Sequence, residues 1–165
     1  MFVNKIPSSH FPGGVFFNKF RLFFVKRIIT IGTNNRFQRN VYFGDGNKIE
    51  IGSNCQINDN IRLDNVKIGN NVMIARDSVF LGKSHNFDNL NAPMNEQGIL
   101  ELEQTIVEND VWIGLRAIIM PGIKIESGSI IAAGTVLTKS TEKNGIYAGV
   151  PGKLIRIRKK KNDKK

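Results

Sequence analysis

His85 is the side chain in this sequence that is best suited to acid–base chemistry, because imidazole exchanges a proton near neutral pH. The other histidine, His10, lies in a poorly patterned N-terminal segment. His85 lies near the start of segment 82–104, which is rich in Asn, Asp and other turn residues. Several Asn and Asp side chains follow it directly, and the sequence leaves open which of them orients the ring. We therefore predict that His85 is the general base of an active site.

Basic side chains are concentrated at the two ends of the chain. The net charge is +10, to which residues 1–30 contribute +5, residues 31–152 contribute −2 and residues 153–165 contribute +7. A basic end suits a phosphorylated cofactor, anionic lipid or nucleic acid. The lysine-rich residues 159–165 are by themselves typical of a solvated tail, and we expect a disordered segment there.

The single cysteine, Cys55, excludes a disulfide within the chain. Its position in the repeat described below favours a small buried core residue over a reactive thiol. A chain without disulfides fits a reducing compartment, so we expect a cytoplasmic location.

The scaffold that must position these residues repeats every six residues. This period matches neither a helix nor a simple alternating strand, so it indicates a repeating architecture. Gly or Asn is available where a tight turn needs a positive φ. The pattern predicts an all-β fold, a parallel β-helix in which three short strands form each triangular coil. The repeated apolar residues, which we expect to point inward, are Ile51, Ile57, Leu63, Ile68, Ile74, Phe80, Val107, Ile113, Ile119, Ile125, Ile131 and Leu137.

A single β-helix domain is expected over residues 31–158, since a solenoid this short cannot be divided into stable parts. We expect irregular early coils at 31–50, and regular coils on either side of a loop excursion at 82–104, where the period is lost. An excursion of this length in a compact repeat domain is usually functional or disordered. An N-terminal capping segment (1–30) and the basic tail (159–165) complete the organisation.

The N-terminal residues 15–29 combine five phenylalanines with four basic residues. The spacing of the phenylalanines allows an amphipathic helix. The charges interrupt any bilayer span, and no small-residue cleavage site of a signal peptide follows. We favour a helix that caps the open end of the solenoid. Peripheral membrane contact through residues 15–29, at the inner face of the membrane, stays open as the alternative.

Four strings in the C-terminal coils closely resemble a known enzyme family. They are residues 110–114 (DVWIG), 117–122 (AIIMPG), 131–139 (IAAGTVLTK) and 148–156 (AGVPGKLIR). In this order they resemble the hexapeptide-repeat acyltransferases, especially the sugar and exopolysaccharide O-acetyltransferases of the galactoside and maltose acetyltransferase group. The resemblance covers roughly residues 31–158. It implies a left-handed β-helix, a homotrimer with sites between neighbouring chains, and acetyl-coenzyme A as the co-substrate.

The same resemblance implies roles for individual residues. His85 matches the general base, Asn58 matches a residue that holds the acceptor, and Trp112 matches one near the acyl-donor groove. A turn role for Asn58 and a packing role for Trp112 stay open. The chain departs from the family pattern at Glu126 and at residues 140–145. The positions that match coenzyme A contacts are Leu115, Ala133, Thr138, Lys139, Lys153 and Arg156.

The activity implied by the resemblance is direct acetyl transfer to a hydroxyl of a sugar or polysaccharide precursor. His85 would take the hydroxyl proton and the Leu115 N–H would stabilise the oxyanion, without a covalent enzyme intermediate. N-acetylation of an amino sugar or nucleotide-linked amino sugar is the alternative, and a non-catalytic binding solenoid is a weaker one. We expect no nucleic-acid partner. We also expect no metal, since carbonic anhydrases of the γ type share the solenoid but need three histidines, and this chain has two.

Overall fold

The structure is a computed structural model. It describes Pro7 and residues 11–44 and 46–159. His10 lies outside the described residues. Residues 160–165, which belong to the tail predicted to be disordered, also lie outside them.

Short parallel strands stack into three sheets, here called faces A, B and C, which the chain visits in that order in each coil. Face A consists of β1 (Thr30–Ile31), β3 (Ile49–Ile51), β5 (Val66–Ile68), β10 (Thr105–Val107) and β13 (Lys124–Ile125). Face B consists of β2 (Arg36–Phe37), β4 (Gln56–Ile57), β6 (Met73–Ile74), β11 (Trp112–Ile113), β14 (Ile130–Ile131), β16 (Gly145–Ala148) and β17 (Lys153–Ile157). Face C consists of β7 (Val79–Phe80), β12 (Ile118–Ile119) and β15 (Val136–Leu137), extended by bridges at Tyr42 and Arg62.

The predicted left-handed parallel β-helix is confirmed, with about six turns. All pairings on faces A, B and C are parallel except that of β17, which runs antiparallel to β16. The two further strands, β8 (Lys83–His85) and β9 (Ile99–Glu101), lie outside the three faces.

The residues at six-residue spacing fill the interior, as the sequence predicts. The twelve predicted inward residues are all buried, and each exposes 3% or less of its surface. Burial of an Ile, Leu or Val side chain contributes roughly 1.5–3 kcal/mol relative to an exposed one, so the inner column supplies a large share of the driving force for folding.

The strands of the first coil pair in the same way as those of later coils, so the irregularity expected over residues 31–50 is confined to the segment between Phe43 and Ile51, which is two residues longer than the six-residue spacing. β1 pairs with β3 and β2 pairs with β4 in the same register as later coils. Ile31, Phe37 and Phe43 continue the six-residue spacing. The two phenylalanines are buried and their rings lie 5.9 Å apart. Aromatic residues in place of Ile or Leu hide the repeat in the sequence.

The corners of each coil depend on a left-handed residue three positions after the inward one. Asn34, Asn54 and Asn71 have this conformation, with φ between 55° and 60°. Asn tolerates positive φ better than most residues, and its amide also pairs with the next coil: Asn34 Nδ2 donates to Asn54 Oδ1 at 2.8 Å. The glycines directly after the inward residue serve another purpose. A Cβ on Gly52 or Gly114 would lie 2.6 Å from backbone of the adjacent coil, so stacking itself excludes a side chain there.

Helix α1 (Gly14–Val25) lies against β2, the edge strand of the first coil. Asn18 Oδ1 accepts from the Phe37 N–H at 2.9 Å, and Arg21 Nη1 donates to the Phe37 carbonyl at 2.6 Å. The helix therefore satisfies edge groups that would otherwise be open to another strand. Within the described part of the chain, no helix has the length and apolar character needed to cross a membrane.

Face A carries an ion-pair network on its outer surface. Glu108 accepts from Lys124 Nζ at 2.8 Å, from the Ser127 hydroxyl at 2.8 Å and from the Ser127 N–H at 3.0 Å. Lys124 also contacts Glu126 at 2.8 Å. These hydrogen bonds, the one from Lys124 first, lower the pKa of Glu108 to about 2. The same contacts raise the pKa of Lys124.

Replacement of Ile119 by Asp should unfold the β-helix. Ile119 is fully buried in β12, and an unpaired charge there costs several kcal/mol, about as much as a small domain's whole stability. The neighbouring Ile118 points outward in the same strand, so Ile118→Asp is the matched control and should stay folded. Circular dichroism and urea unfolding measure both variants. A folded Ile119→Asp protein would contradict the assigned inward face.

Replacement of Glu108 by Gln should lower stability at neutral pH and have little effect in acid. The pKa of the folded carboxyl lies below its ordinary value of 4.5, so its stabilisation is present above about pH 4.5 and is lost as pH falls toward about 2. The difference between wild type and Glu108→Gln in urea unfolding should therefore narrow over that range. Glu126→Gln, which removes one contact to Lys124 and leaves Ser127 bonded, should cost less. If the difference in unfolding free energy between wild type and Glu108→Gln stayed constant with pH, the lowered pKa of Glu108 would not contribute to stability.

Candidate functional site

The predicted excursion is a hairpin that leaves the solenoid at the corner between faces C and A. After β7 the chain enters β8, which pairs antiparallel with β9 and places His85 opposite Ile99. The connecting loop contains a 3₁₀ turn, Met94–Glu96. Asn65 Nδ2 donates to the Leu102 carbonyl at 2.9 Å and ties the base of the hairpin to the preceding coil. The chain then resumes the repeat at β10.

His85 presents an exposed side chain at the end of β8. Its neighbours hold the loop together: Asn86 Nδ2 donates to the Gln97 carbonyl at 3.0 Å, and the Asn89 N–H donates to Gln97 Oε1 at 3.0 Å. Among the described residues the His85 ring has no hydrogen-bond partner within the chain. Asn86 and Asn89 therefore shape the loop, and the His85 ring is open to solvent.

A cavity of about 410 Å³ lies at the base of this hairpin. Its wall includes Lys83, two residues before His85, and Tyr42 and Arg62 from earlier coils. The Arg62 guanidinium lies 4.7 Å from the centre of the Tyr42 ring, and Arg62 Nε donates to Asp64 at 2.7 Å. Sequence reasoning missed this group because its members are far apart in the chain. An aromatic ring with paired charges can bind a polar ring such as a sugar.

A second group of predicted residues lies at the corner between faces B and C. Leu115 and Ala133 are exposed there on adjacent coils, joined by the Gly134 N–H, which donates to the Leu115 carbonyl at 2.7 Å. Asn58 lies at the same corner on an earlier coil, and its Nδ2 donates to the Ile74 carbonyl at 2.8 Å. That bond joins Asn58 to the next coil, and it leaves the amide oxygen available to a ligand.

Trp112 lies on the outer surface of face B, in register with Met73 and Ile130. It exposes 48% of its surface, so packing within the chain covers only about half of the side chain. The remaining ring surface is available to a ligand or to another chain.

The remaining cofactor candidates are exposed near the C-terminal coils. Thr138 and Lys139 follow β15 at the corner between faces C and A, where the hairpin also leaves the solenoid. Lys153 and Arg156 lie on β17, where they pair with Ala148 and Ile146 of β16. Basic side chains in these positions can bind phosphate groups by charge-assisted hydrogen bonds.

The predicted site residues of one chain thus divide between two corners of the triangle and face B, which carries Trp112, Lys153 and Arg156. His85 and Lys139 lie at the corner between faces C and A, whereas Asn58, Leu115 and Ala133 lie between faces B and C. One side of a coil is about six residues long, which at about 3.3 Å per residue is at most roughly 20 Å. His85 and Leu115 are thus carried by different corners of one chain.

Two arginines that sequence reasoning missed accompany Leu115. The Arg116 N–H donates to the Arg76 carbonyl at 3.1 Å, so these exposed residues lie on adjacent coils. Arg116 has a φ of 55°, and its Nε lies 3.8 Å from Asp77. The signal was present in the sequence, since Arg116 occupies the corner position that is Asn, Asp or Gly in other coils. The pair can meet an anionic group at this corner.

Cys55 is buried beneath the A-to-B corner, as predicted, and its Sγ lies 3.2 Å from the Gly69 carbonyl. Burial raises the pKa of the thiol, which disfavours the nucleophilic thiolate. In the described part of the chain, no group of three or more His, Cys, Asp or Glu residues is placed to hold a metal ion.

Comparison with known proteins points to one family. A family model described as the hexapeptide repeat of succinyl-transferase matches residues 104–139. The galactoside O-acetyltransferase of Escherichia coli K12 is 34% identical over 130 residues, which cover 77% of this chain and 63% of that protein. The chain thus spans just under two thirds of the length of this relative.

Solved structures extend the likeness to the fold. A galactoside acetyltransferase in complex with coenzyme A is 32% identical, with a TM-score of 0.77, and the match covers 89% of this chain and 72% of the other. A hexapeptide-repeat acetyltransferase of Vibrio cholerae in complex with acetyl-coenzyme A is 25% identical, with a TM-score of 0.79, and the match covers 86% of this chain and 78% of the other.

Proposed function

This chain belongs to the hexapeptide-repeat acetyltransferase family, and on that premise we propose that it transfers an acetyl group from acetyl-coenzyme A to a hydroxyl of a sugar or polysaccharide precursor. The observation that carries the proposal is the exposed His85 on a hairpin that leaves the β-helix directly before the coils matched by the family model. A general base must be accessible to the acceptor, and this ring is.

The reaction is a direct transfer. The acceptor oxygen attacks the thioester carbonyl carbon while His85 takes the hydroxyl proton. The carbonyl oxygen becomes an oxyanion, which the Leu115 N–H stabilises. The carbon–sulfur bond then breaks, and the coenzyme A sulfur leaves with the proton that His85 returns. The products are the acetyl ester and free coenzyme A, and the buried Cys55 takes no part.

Acetyl-coenzyme A is the proposed co-substrate, supported by the ligands of the similar solved structures. Leu115 and Ala133 offer exposed backbone to its amide-rich arm. Lys139, with Thr138 next to it in the chain, and Lys153 and Arg156 offer cationic side chains to its phosphates. No metal is part of the proposal.

A homotrimer is the proposed assembly. Since His85 and Leu115 lie at different corners of one chain, a complete site needs His85 from one chain beside Leu115 of another. The outer surfaces support a contact between chains through faces B and C. Faces B and C expose Trp112 and Ile118, whereas face A is charged and carries the pair Lys67–Glu50 at 2.7 Å. Closed threefold symmetry then gives three equivalent sites.

A sugar is the proposed acceptor, held by Asn58 and Trp112, and the galactoside-acetylating relative supports it. N-acetylation of an amino sugar, free or nucleotide-linked, is the alternative acceptor chemistry. A screen of hydroxyl and amino acceptors with a thiol-release readout separates the two. A cytoplasmic location, suggested by the single unpaired cysteine, belongs to the same proposal.

Replacement of His85 by Ala should lower turnover by roughly 100- to 10,000-fold, because a general base contributes about that much. Binding of acetyl-coenzyme A should persist, as measured by calorimetry. His10→Ala is the control and should keep its turnover. Near-normal turnover of His85→Ala would favour the non-catalytic binding solenoid.

Replacement of Lys139, Lys153 and Arg156 together by Ala should raise KM for acetyl-coenzyme A by roughly tenfold or more and weaken the salt dependence of binding, because phosphate contacts are lost. All three side chains are exposed, so the fold should be kept. Lys67→Ala on face A removes a cation far from the groove and should leave KM unchanged. An unchanged KM in the triple variant would exclude these residues from the cofactor site.

Co-assembly of two inactive variants should restore activity if each site is shared by two chains. His85→Ala removes the base, and Ala133→Trp fills the cofactor groove at an exposed position. Random mixing into trimers leaves about a quarter of the interfaces with both native residues. Light scattering should report the mass of three chains. Mixed trimers without activity, or an active monomer, would contradict a shared site.

A further inference from the structure

The outer surface of α1 and the turn before it is apolar and open to solvent. Phe11, Val15, Phe16, Phe20 and Phe23 each expose between 40% and 73% of their surface. Single exposed apolar residues are common, but a contiguous group of this size marks an interaction surface. We call these five residues the aromatic face.

The docking of α1 holds the aromatic face outward. The side of the helix that meets the β-helix carries Asn18 and the buried Arg21, which hydrogen-bond to the backbone of Asn35 and Phe37. Val25 completes this inner side in the core. A rotation that buried the phenylalanines would break these bonds and leave edge groups of β2 without partners. The aromatic face is thus fixed in its exposed orientation.

The phenylalanine rings contact one another along the helix. Phe16 and Phe20 are stacked with centroids 6.4 Å apart, and the inner neighbour Phe24 lies 5.1 Å from Phe20 and 5.3 Å from Phe23. The rings form one continuous apolar strip rather than separate points.

Cations border this strip. Lys19, Lys26 and Arg27 are exposed, and the Arg27 guanidinium lies 3.7 Å from the centre of the Phe23 ring. Residues 11–30 contain no acidic residue. An apolar strip bordered by cations is complementary to an interface that has an apolar interior and anionic groups at its surface.

We infer that α1 binds the surface of a membrane that contains anionic phospholipid. The aromatic face inserts its rings at the level of the lipid headgroups, and Lys19, Lys26 and Arg27 bind the headgroup phosphates. The helix lies in the plane of the interface and does not cross it. This inference concerns a different surface from the proposed catalytic site and does not depend on acetyl transfer.

The placement of α1 leaves the candidate site free. The helix covers the first coil, whereas the His85 hairpin follows the third. Two coil spacings separate them, about 10 Å along the axis of the solenoid. Lipid contact through the aromatic face would therefore involve a different coil from the one that carries the hairpin.

Co-sedimentation of the full chain with vesicles tests the inference. The chain should bind vesicles of phosphatidylcholine with phosphatidylglycerol, and bind phosphatidylcholine alone at least about tenfold more weakly. Combined replacement of Phe16, Phe20 and Phe23 by Ser should reduce binding to the mixed vesicles by about tenfold or more. Combined replacement of Lys19 and Lys26 by Glu should reduce it similarly and remove its salt dependence.

Two controls match these variants. Leu90→Ser with Met94→Ser changes exposed apolar residues on the excursion loop and should leave vesicle binding unchanged. A chain that ends at Lys159 lacks the basic tail and should keep most of its binding. Circular dichroism checks the fold, and the charge variant decides the outcome if the Phe variant misfolds.

Three results would overturn the inference. The first is an absence of binding to the mixed vesicles. The second is binding that depends on the tail and not on α1. The third is a Phe variant with unchanged vesicle binding and a smaller mass by light scattering, which would make the aromatic face a contact between copies of this chain.

Discussion

In-register stacking of each coil on the next is the constraint on which the rest of this structure depends. Strands of two or three residues have no partner within their own coil, so their backbone groups pair only with the coils above and below. Every coil must therefore turn at the same three places. This requirement accounts for the left-handed residues at successive corners, such as Asn54 and Asn71. It also excludes a side chain at Gly52 and Gly114, where the next coil lies within contact distance.

An insertion can be accommodated in such a stack only at a corner, where it projects away from the coils. The hairpin of β8 and β9 does so, and β10 still pairs with β5 as if the insertion were absent. The insertion thus adds an exposed histidine and a new cavity wall without disturbing the core. The proposed base is thus part of what is added to the repeat, and the repeat supplies a rigid position for it.

The strands at the two ends of the stack lack a neighbouring coil on one side, so their backbone N–H and C=O groups need other partners. Hydrogen bonds from Asn18 and Arg21 cover β2 at the first coil, and β17 covers β16 at the last. Burial of the Arg21 guanidinium lowers its pKa, and attraction to Asp59 opposes that shift. Because the inner side of α1 is polar, its phenylalanines face outward. Capping of the first coil by this helix therefore creates an exposed apolar surface.

The six-residue period by itself determined the β-helix and its inward residues, because an apolar side chain at each sixth position leaves no other way to bury one continuous column. The motif strings around Trp112 and Lys153 were sufficient to indicate the family. Aromatic substitution at Phe37 and Phe43 hid the first coil, since its place in the stack becomes visible only through pairing with β4. The tertiary structure alone decided that His85 and Leu115 lie at different corners, that Arg76 and Arg116 are neighbours, and that α1 buries an arginine while exposing its phenylalanines. These features depend on which coils stack and on which backbone groups need partners, and a linear pattern of residue types contains neither.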